Sequence, residues 1–178
     1  MDNEEGQLFR ARIADDAGGA RFLRTGDLGF VYKGKLYVVG RSKDLIIQHG
    51  RNIYPEDIED TIIHVDTQIR PGRVAAFSIP DPAVSEGEKG AELFVVAAEL
   101  RGVPDEEQLK DLASRIRSRL SEEHSVFTWA VVLLRSGTLE KTTSGKIRRG
   151  SCRDAYMSGE LEGRILLDER FKGGGADS

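Results

Sequence analysis

A lysine in a short polar loop is the residue of this sequence best suited to chemistry. Lys146 follows Thr142-Thr143-Ser144-Gly145, residue types that adopt turns at low cost, glycine because it tolerates positive φ. The lysine ammonium is a compact charge with three donors, which suits negative charge that builds on a phosphate or carboxylate oxygen. The loop is not a P-loop, because Glu140 and Ile147 stand where that motif needs a glycine and a Ser or Thr. Taken alone, the pattern is also typical of a solvated loop.

Two other polar segments lie upstream and bracket a predicted β-hairpin. Thr25-Gly26-Asp27 comes before the hairpin, and Gly40-Arg41-Ser42-Lys43-Asp44 comes after it. The hairpin strands, residues 28–32 and 35–39, are rich in aromatic and β-branched residues, and a Lys33-Gly34 turn joins them. Each polar segment alone is typical of a turn or a solvated linker. The charges after the hairpin indicate a domain boundary.

The composition predicts a folded protein and argues against several functional classes. Of the 178 residues, 39% are hydrophobic and 31% are charged, and the net charge of −4 argues against a nucleic-acid binder. No apolar run reaches the roughly 18 residues that a membrane span needs, and the acidic N-terminus does not resemble a signal peptide. Cys152 is the single cysteine, which fits a reducing, cytoplasmic setting. His49, His64 and His124 are too far apart to predict a metal site.

Beyond residue 44, the apolar periodicity predicts strand, helix, strand, strand, helix, strand and helix. Two of the helices begin at Pro55 and Pro104, each followed by acidic residues that favour the positive end of a helix dipole. This order predicts an α+β fold in which helices flank a small sheet. The predicted strands are 45–48, 73–79, 92–100 and 129–134, and the last helix is 147–157. The predicted buried positions are Ile58, Ile62 and Ile63, then Leu109, Leu112, Ala113, Ile116 and Leu120; Lys110, Arg115, Arg117 and Arg119 are assigned to solvent.

Four motifs, in this order, resemble the C-terminal part of the acyl-adenylate-forming ligases. That superfamily includes acyl-CoA synthetases, firefly luciferase and the adenylation domains of peptide synthetases. The motifs are RTGDLG (24–29), GRSKD (40–44), GRNIYPEDIE (50–59) and KTTSGKIR (141–148), and the resemblance covers residues 22–157. Within the superfamily, the segments DLII (44–47), RPGRVAAF (70–77) and CRDAY (152–156) are similar to fatty acyl-AMP ligases.

The resemblance implies a role for each motif. Asp27 accepts hydrogen bonds from the ribose hydroxyls of ATP, which suits a carboxylate because it is acceptor-only when ionised. Arg41 donates to the same nucleotide, and Val38 packs near its sugar. Asp44 is the hinge about which a C-terminal domain rotates. Lys146 reaches the fatty carboxylate and the α-phosphate, where a positioned cation lowers the barrier by ~3–5 kcal/mol.

The resemblance also implies a domain rotation between two half-reactions. After adenylation Lys146 leaves, and the Gly50-Arg51-Asn52 loop enters to line the pantetheine channel. Glu140 departs from the family pattern, which has proline there, so the lysine loop is expected to be less rigid than in relatives. ATP and Mg²⁺ are implied for the full-length enzyme, with no metal ligands on this chain. The implied partners are a fatty acid, an acyl carrier protein or polyketide synthase, and the N-terminal domain.

The same resemblance predicts the domain limits. Residues 1–43 correspond to the edge of a large N-terminal domain, 44–172 to the mobile C-terminal domain, and 173–178 to a disordered tail. The ATP-gripping loop of the superfamily is not in this sequence, so the chain alone is expected to be inactive. Two alternatives stay open: a C-terminal domain of a long-chain acyl-CoA synthetase, and a non-catalytic module that docks a carrier protein.

Overall fold

The computed structural model describes residues 11, 20–81 and 92–171, so the predicted tail at 173–178 lies outside the described residues. The chain divides into two compact units, residues 1–45 and 46–178. In the first unit, β1 (Asp27–Tyr32) and β2 (Lys35–Arg41) form an antiparallel hairpin, which confirms the predicted one. Both residues of its turn have positive φ, +49° at Lys33 and +75° at Gly34, as a two-residue type I′ turn requires.

The second unit is built on a mixed four-stranded sheet with the order β5-β6-β7-β8. The central strands β6 and β7 run parallel, and each outer strand pairs antiparallel with its neighbour. A separate hairpin, β3 and β4, precedes this sheet. The strands are β3 (Ile46–Gln48), β4 (Arg51–Ile53), β5 (Ile69–Pro80), β6 (Glu92–Leu100), β7 (Ala130–Leu134) and β8 (Ile165–Arg170).

Helices cover both faces of the sheet, because its central strands are apolar on both sides. Side chains of β6 alternate between two cores: Phe94 and Val96 enter one core, and Val95 and Ala97 enter the other. The first core also holds residues of α1 and α2, and the second holds Cys152 of α3. The predicted α+β class, with helices flanking a small sheet, is therefore confirmed. The helices are α1 (Pro55–Ile63), α2 (Glu106–His124) and α3 (Arg149–Ser158).

Helix α2 confirms the predicted buried stripe and shows how its start is fixed. The Asp105 carboxylate accepts from the Gln108 backbone N–H at 2.9 Å, and the Gln108 side-chain oxygen accepts from the Asp105 N–H at 3.2 Å. This reciprocal capping box satisfies two of the backbone donors that a helix start leaves unpaired. The buried residues are Leu109, Leu112, Ala113, Ile116 and Leu120, as predicted.

Several details differ from the sequence prediction. Arg117 was assigned to solvent, but it is half-buried and donates to the Glu169 carboxylate, which ties α2 to β8. Strand β8 was not predicted, because its sequence does not alternate apolar and polar residues. Helix α3 begins at Arg149, two residues later than predicted, since Ile147 is extended and forms a β-bridge with Lys141.

Candidate functional site

Lys146 lies at the end of a tight turn, residues 142–146, that is closed by hydrogen bonds between its own residues. The Gly145 N–H donates to the Thr142 carbonyl at 2.9 Å, and the Thr142 N–H donates to the Lys146 carbonyl at 2.8 Å. The Thr142 hydroxyl oxygen accepts from the Lys146 N–H at 3.1 Å and lies 2.9 Å from the Ser144 hydroxyl. Gly145 has φ +83°, which favours glycine there. The turn therefore fixes the Lys146 backbone and leaves the side chain exposed.

A buried carboxylate holds the segment that leads into this turn. Glu99 of β6 is 0% exposed and accepts from the Gly137 N–H at 3.0 Å and the Leu139 N–H at 2.6 Å. Arg70 donates to the same carboxylate, and an Arg73 nitrogen lies 3.9 Å from it. Burial by itself would raise the pKa of Glu99, but the bonds from Gly137, Leu139 and Arg70 outweigh it and lower the pKa below 4.5. Glu99 is thus an ionised anchor.

A second ion pair holds the segment that leaves the turn. Arg149, the first residue of α3, donates to both Glu59 oxygens at 2.6 and 2.8 Å and to Glu56 at 2.9 Å. The Arg149 and Glu59 side chains are only 15% and 16% exposed, and Glu59 also accepts from the Ala76 N–H at 3.0 Å. Burial raises the pKa of Glu59 above 4.5, and its bonds to Arg149 and Ala76 offset part of that effect. Arg149 therefore anchors the lysine loop to α1 and β5.

The single cysteine lies near the start of α3, and its thiol is not reactive. Cys152 is buried, and burial raises the pKa of its thiol to about 12, with the Glu59 charge adding to the effect. A thiol with such a pKa is protonated near neutral pH, and the thiolate is the reactive form. Cys152 therefore acts as a core residue.

The predicted nucleotide residues lie together in the first unit. Asp27 and Arg41 are cross-strand partners, and the Arg41 Nε donates to the Asp27 Oδ1 at 3.3 Å. The Thr25 hydroxyl accepts from the Asp27 N–H at 3.1 Å, which orients the start of β1. Asp27 is 39% exposed and Arg41 is 54% exposed, so solvent reaches both groups. Val38 lies in the same hairpin, opposite Gly29 in the strand register.

The β1–β2 hairpin carries apolar side chains that this unit leaves exposed. The Phe30 and Tyr37 rings stack at 5.2 Å with an 11° interplanar angle. A Cβ at Gly29 would lie 2.6 Å from the Tyr37 carbonyl oxygen, so the strands approach closely at this bulge. Exposed apolar surface of this kind is a common mark of an interaction site. The exposed apolar residues are Phe30, Val31, Tyr32, Leu36, Tyr37 and Val38.

The predicted acceptor loop is a second hairpin rather than an irregular loop. The turn consists of His49 (φ +51°) and Gly50 (φ +74°), whereas Arg51 and Asn52 belong to β4 and pair with β3. The prediction therefore placed the polar loop correctly but missed a strand within it. The Arg51 and Asn52 side chains are exposed.

The β3–β4 hairpin and the lysine turn lie on opposite faces of the second unit. Ile46 and Ile53 of the hairpin belong to the core that α1 and α2 cover. Leu139, which precedes the lysine turn, belongs to the core that α3 covers, and Ile147 packs against that core. The four-stranded sheet therefore separates Lys146 from Gly50, Arg51 and Asn52. Asp44 lies in the first unit.

The described residues show neither a metal-binding cluster nor a helix suited to a membrane. Residues 11, 20–81 and 92–171 contain no group of three or more His, Cys, Asp or Glu arranged to hold a metal ion. In the same part of the chain, no helix combines the length and the apolar character that a bilayer crossing requires.

Comparison with known proteins gives the family. No protein-family model matches the chain. The chain is 36% identical over 160 residues to the medium-chain-fatty-acid–[acyl-carrier-protein] ligase JamA of Moorena producens, covering 89% of this chain and 26% of that protein. It is 40% identical to the long-chain-fatty-acid–AMP ligase FadD26 of Mycobacterium marinum, covering 85% of this chain and 26% of that protein.

A solved structure shares the fold at significant sequence identity. The fatty acid AMP ligase from Legionella pneumophila is 34% identical with a TM-score of 0.56, covering 94% of this chain and 27% of that one. The chain spans about a quarter of the length of the curated relatives it matches. The predicted resemblance is confirmed: the chain belongs to the acyl-adenylate-forming ligase superfamily and corresponds to the C-terminal portion of its fatty acyl-AMP ligases.

Proposed function

We propose that the chain is the C-terminal part of an enzyme that activates a fatty acid with ATP and transfers the acyl group to an acyl carrier protein or polyketide synthase. The observation that carries the proposal is the exposed Lys146, on a turn that buried ion pairs hold in place and within a motif that matches the family. The names of JamA and FadD26 support the same reaction class.

In the first half-reaction, Lys146 stabilises the charge of the reacting groups. A fatty carboxylate oxygen attacks the α-phosphorus of ATP, and pyrophosphate leaves with the electron pair of the broken P–O bond. Negative charge builds on the α-phosphoryl oxygens, and a positioned ammonium lowers that barrier. The self-bonded turn around Gly145 supports this role, since it holds the backbone while the side chain projects into solvent.

The β1–β2 hairpin contributes to nucleotide binding in this proposal. Asp27 accepts from the ribose hydroxyls, Arg41 donates to the nucleotide, and Val38 packs near the sugar. The hydrogen bond between Asp27 and Arg41 supports the assignment, because it presents an acceptor and a donor side by side on one edge. Mg²⁺, which the resemblance implies for the full-length enzyme, would shield the charge of the triphosphate.

In the second half-reaction, the C-terminal unit turns its other face toward the reacting groups. A phosphopantetheine thiol attacks the acyl carbonyl and displaces AMP, while Gly50, Arg51 and Asn52 line the thiol channel. The position of the lysine turn and the β3–β4 hairpin on opposite sheet faces supports this exchange. Rotation about Asp44 would withdraw one face and present the other. The single buried cysteine is compatible with a cytoplasmic setting, which stays part of the proposal.

The decisive experiment replaces Lys146 with Ala in the full-length ligase and measures the two half-reactions separately. We expect acyl-AMP formation to fall roughly 10²–10³-fold, the usual cost of removing one group that stabilises transition-state charge. Transfer from synthetic acyl-AMP should stay near the wild-type rate. The matched control is Lys110→Ala, an exposed lysine of the same unit, which should change neither step. An unaffected first step would favour the docking module instead.

The acceptor is tested in the same assay. Synthetic acyl-AMP is offered with holo acyl carrier protein or with free coenzyme A. Transfer to the carrier alone supports the proposal, and faster transfer to coenzyme A would favour the acyl-CoA synthetase alternative.

A further inference from the structure

Two carboxylates that the proposed chemistry does not use lie on either side of the lysine turn: Glu99 is buried and Glu59 is half-buried. Glu99 binds the segment before the turn, at Gly137 and Leu139, and Glu59 binds Arg149 after it. Buried ionised groups cost free energy unless they are well paired, and well-packed apolar residues often serve stability as well. Their position next to the lysine turn therefore calls for a reason other than packing.

The upstream carboxylate fastens the loop to β6, and two arginines of β5 reinforce the attachment. Arg70 and Arg73 both come from β5; Arg70 donates to Glu99, and the Arg73 Nη1 donates to the Leu139 carbonyl at 2.6 Å. Leu139 is therefore held at its N–H by Glu99 and at its carbonyl by Arg73. A peptide segment with both polar groups bonded to the core has little freedom to shift.

The downstream carboxylate fastens the other end to β5. Glu59 accepts from the backbone N–H of Ala76, also in β5, while it holds Arg149 through two hydrogen bonds. Between the two attachments, the Arg148 N–H donates to the Glu140 carbonyl at 3.1 Å. This bond brings the two ends of the loop together. The Lys146 turn is thus the tip of a closed loop attached to β5 on both sides.

We propose that Glu99 and Glu59 are positioning residues, which set the location of the Lys146 turn for adenylation. The inference rests on the proposed function of Lys146. A lysine that leaves and returns in every catalytic cycle must arrive in the same place, and a loop fixed to its own domain meets that demand. These attachments hold the loop although Glu140 stands where the family pattern has proline.

Glu99→Gln is the sharpest test, because an amide keeps the size of the side chain but has one acceptor oxygen. It cannot accept from both Gly137 and Leu139 without placing its NH₂ group against an N–H. In the full-length ligase we expect adenylation kcat to fall roughly ten- to a hundredfold, as a small misplacement of a catalytic group does. Transfer from synthetic acyl-AMP should stay within twofold, since the β3–β4 hairpin lies on the other sheet face.

The control is Arg117→Met, which breaks the half-buried pair with Glu169 between α2 and β8. It should lower thermal stability without separating the two half-reactions. If Glu99→Gln reduces both half-reactions equally, or leaves adenylation unchanged, the positioning role is wrong. If Arg117→Met shows the same selective loss, the effect is general destabilisation and the inference also fails.

Two further measurements keep the test decisive if Glu99→Gln folds poorly. Arg73→Met removes the donor to the Leu139 carbonyl and should cause a smaller loss of the same selectivity. Hydrogen exchange on the 178-residue chain should show faster exchange at Leu139 and Lys146 in Arg73→Met, and unchanged exchange there would contradict the attachment of the loop. Lys146→Ala is assayed in parallel. If it leaves adenylation intact, the proposed function fails; if it abolishes adenylation and Glu99→Gln does not, only the positioning role fails.

Discussion

The β1–β2 hairpin presents a charged pair at the open end of its strands, and the lysine loop presents a charge on a turn, but the two are supported differently. The Asp27–Arg41 pair is 39% and 54% exposed and forms one hydrogen bond of 3.3 Å. Around the lysine loop, the Arg149–Glu59 pair is 16% exposed or less and forms two bonds with each other. The first pair leaves much of its hydrogen-bonding capacity open to solvent, and the second uses it for structure.

The two regions therefore differ in how far contacts within their own unit support them. The hairpin carries a row of apolar side chains that its own unit leaves exposed, and solvent reaches Asp27 and Arg41. The lysine loop rests on a core of its own, and Glu99 and Arg149 attach it there. Electrostatic interactions strengthen where water is excluded, so under the proposed function Asp27 and Arg41 would bind the nucleotide more strongly once another surface covers the hairpin.

The largest stability effect is expected from Arg149→Met. This change leaves the half-buried Glu59 without its cation. Breaking a buried ion pair from one side typically costs about 3–5 kcal/mol. Because Glu59 can take up a proton, we expect the lower limit, about 3 kcal/mol, in urea denaturation of the 178-residue chain. The unfolding midpoint at pH 7 measures it.

Arg153→Met is the control for that measurement. Arg153 lies on the same helix and pairs with Asp154 at the surface. Exposed pairs contribute about 0–1 kcal/mol, so the midpoint should barely move. Equal losses in the two variants would remove the distinction between anchored and exposed pairs on which the comparison depends.

A smaller effect, with a defined pH dependence, is expected from Glu99→Gln. The folded-state pKa of Glu99 is lowered below 4.5, so the ionised form stabilises the fold. That contribution is present in full above about pH 5 and is lost as the pH falls below 4.5 through the folded-state pKa. At pH 7 the variant should be less stable by about 2 kcal/mol, the usual worth of hydrogen bonds to a buried charge.

The pH dependence is read from the difference between wild type and variant in urea at several pH values. The difference removes the contribution of Glu59, whose raised pKa acts in the opposite sense. It should shrink as the pH falls below 4.5. A difference that stays constant down to acid pH would mean that Glu99 is not ionised in the fold.

The sequence predicted the elements whose residues are neighbours along the chain. The α2 stripe, the Lys33-Gly34 turn and the strand at Glu92–Leu100 all follow from local periodicity or turn chemistry. The type of each residue and its spacing were sufficient for these elements.

The anchors could not be predicted because their partners are distant in sequence. Arg149 binds a carboxylate 90 residues away, and the Leu139 N–H binds one 40 residues away. The one available signal was an acid, Glu99, that directly follows an apolar run at residues 93–98. Arg117 was misassigned for the same reason, since its partner Glu169 lies in a strand that the pattern did not reveal. The roles of Lys146 and Asp27 stay predictions.

The smallest stability effect is expected from Arg41→Ala, and it tests the other side of the comparison. An exposed ion pair contributes about 0–1 kcal/mol, so unfolding of the 178-residue chain should shift by less than about 0.5 kcal/mol. In the full-length ligase, however, loss of a charge-assisted hydrogen bond to the nucleotide should raise the KM for ATP roughly tenfold. Arg119→Ala is a matched control, because the Arg119–Glu123 pair is 52% and 39% exposed. It should leave both stability and the KM for ATP unchanged. If Arg41→Ala destabilises the chain as much as Arg149→Met does, the hairpin pair is a structural anchor. An unchanged KM for ATP would instead remove Arg41 from the nucleotide site.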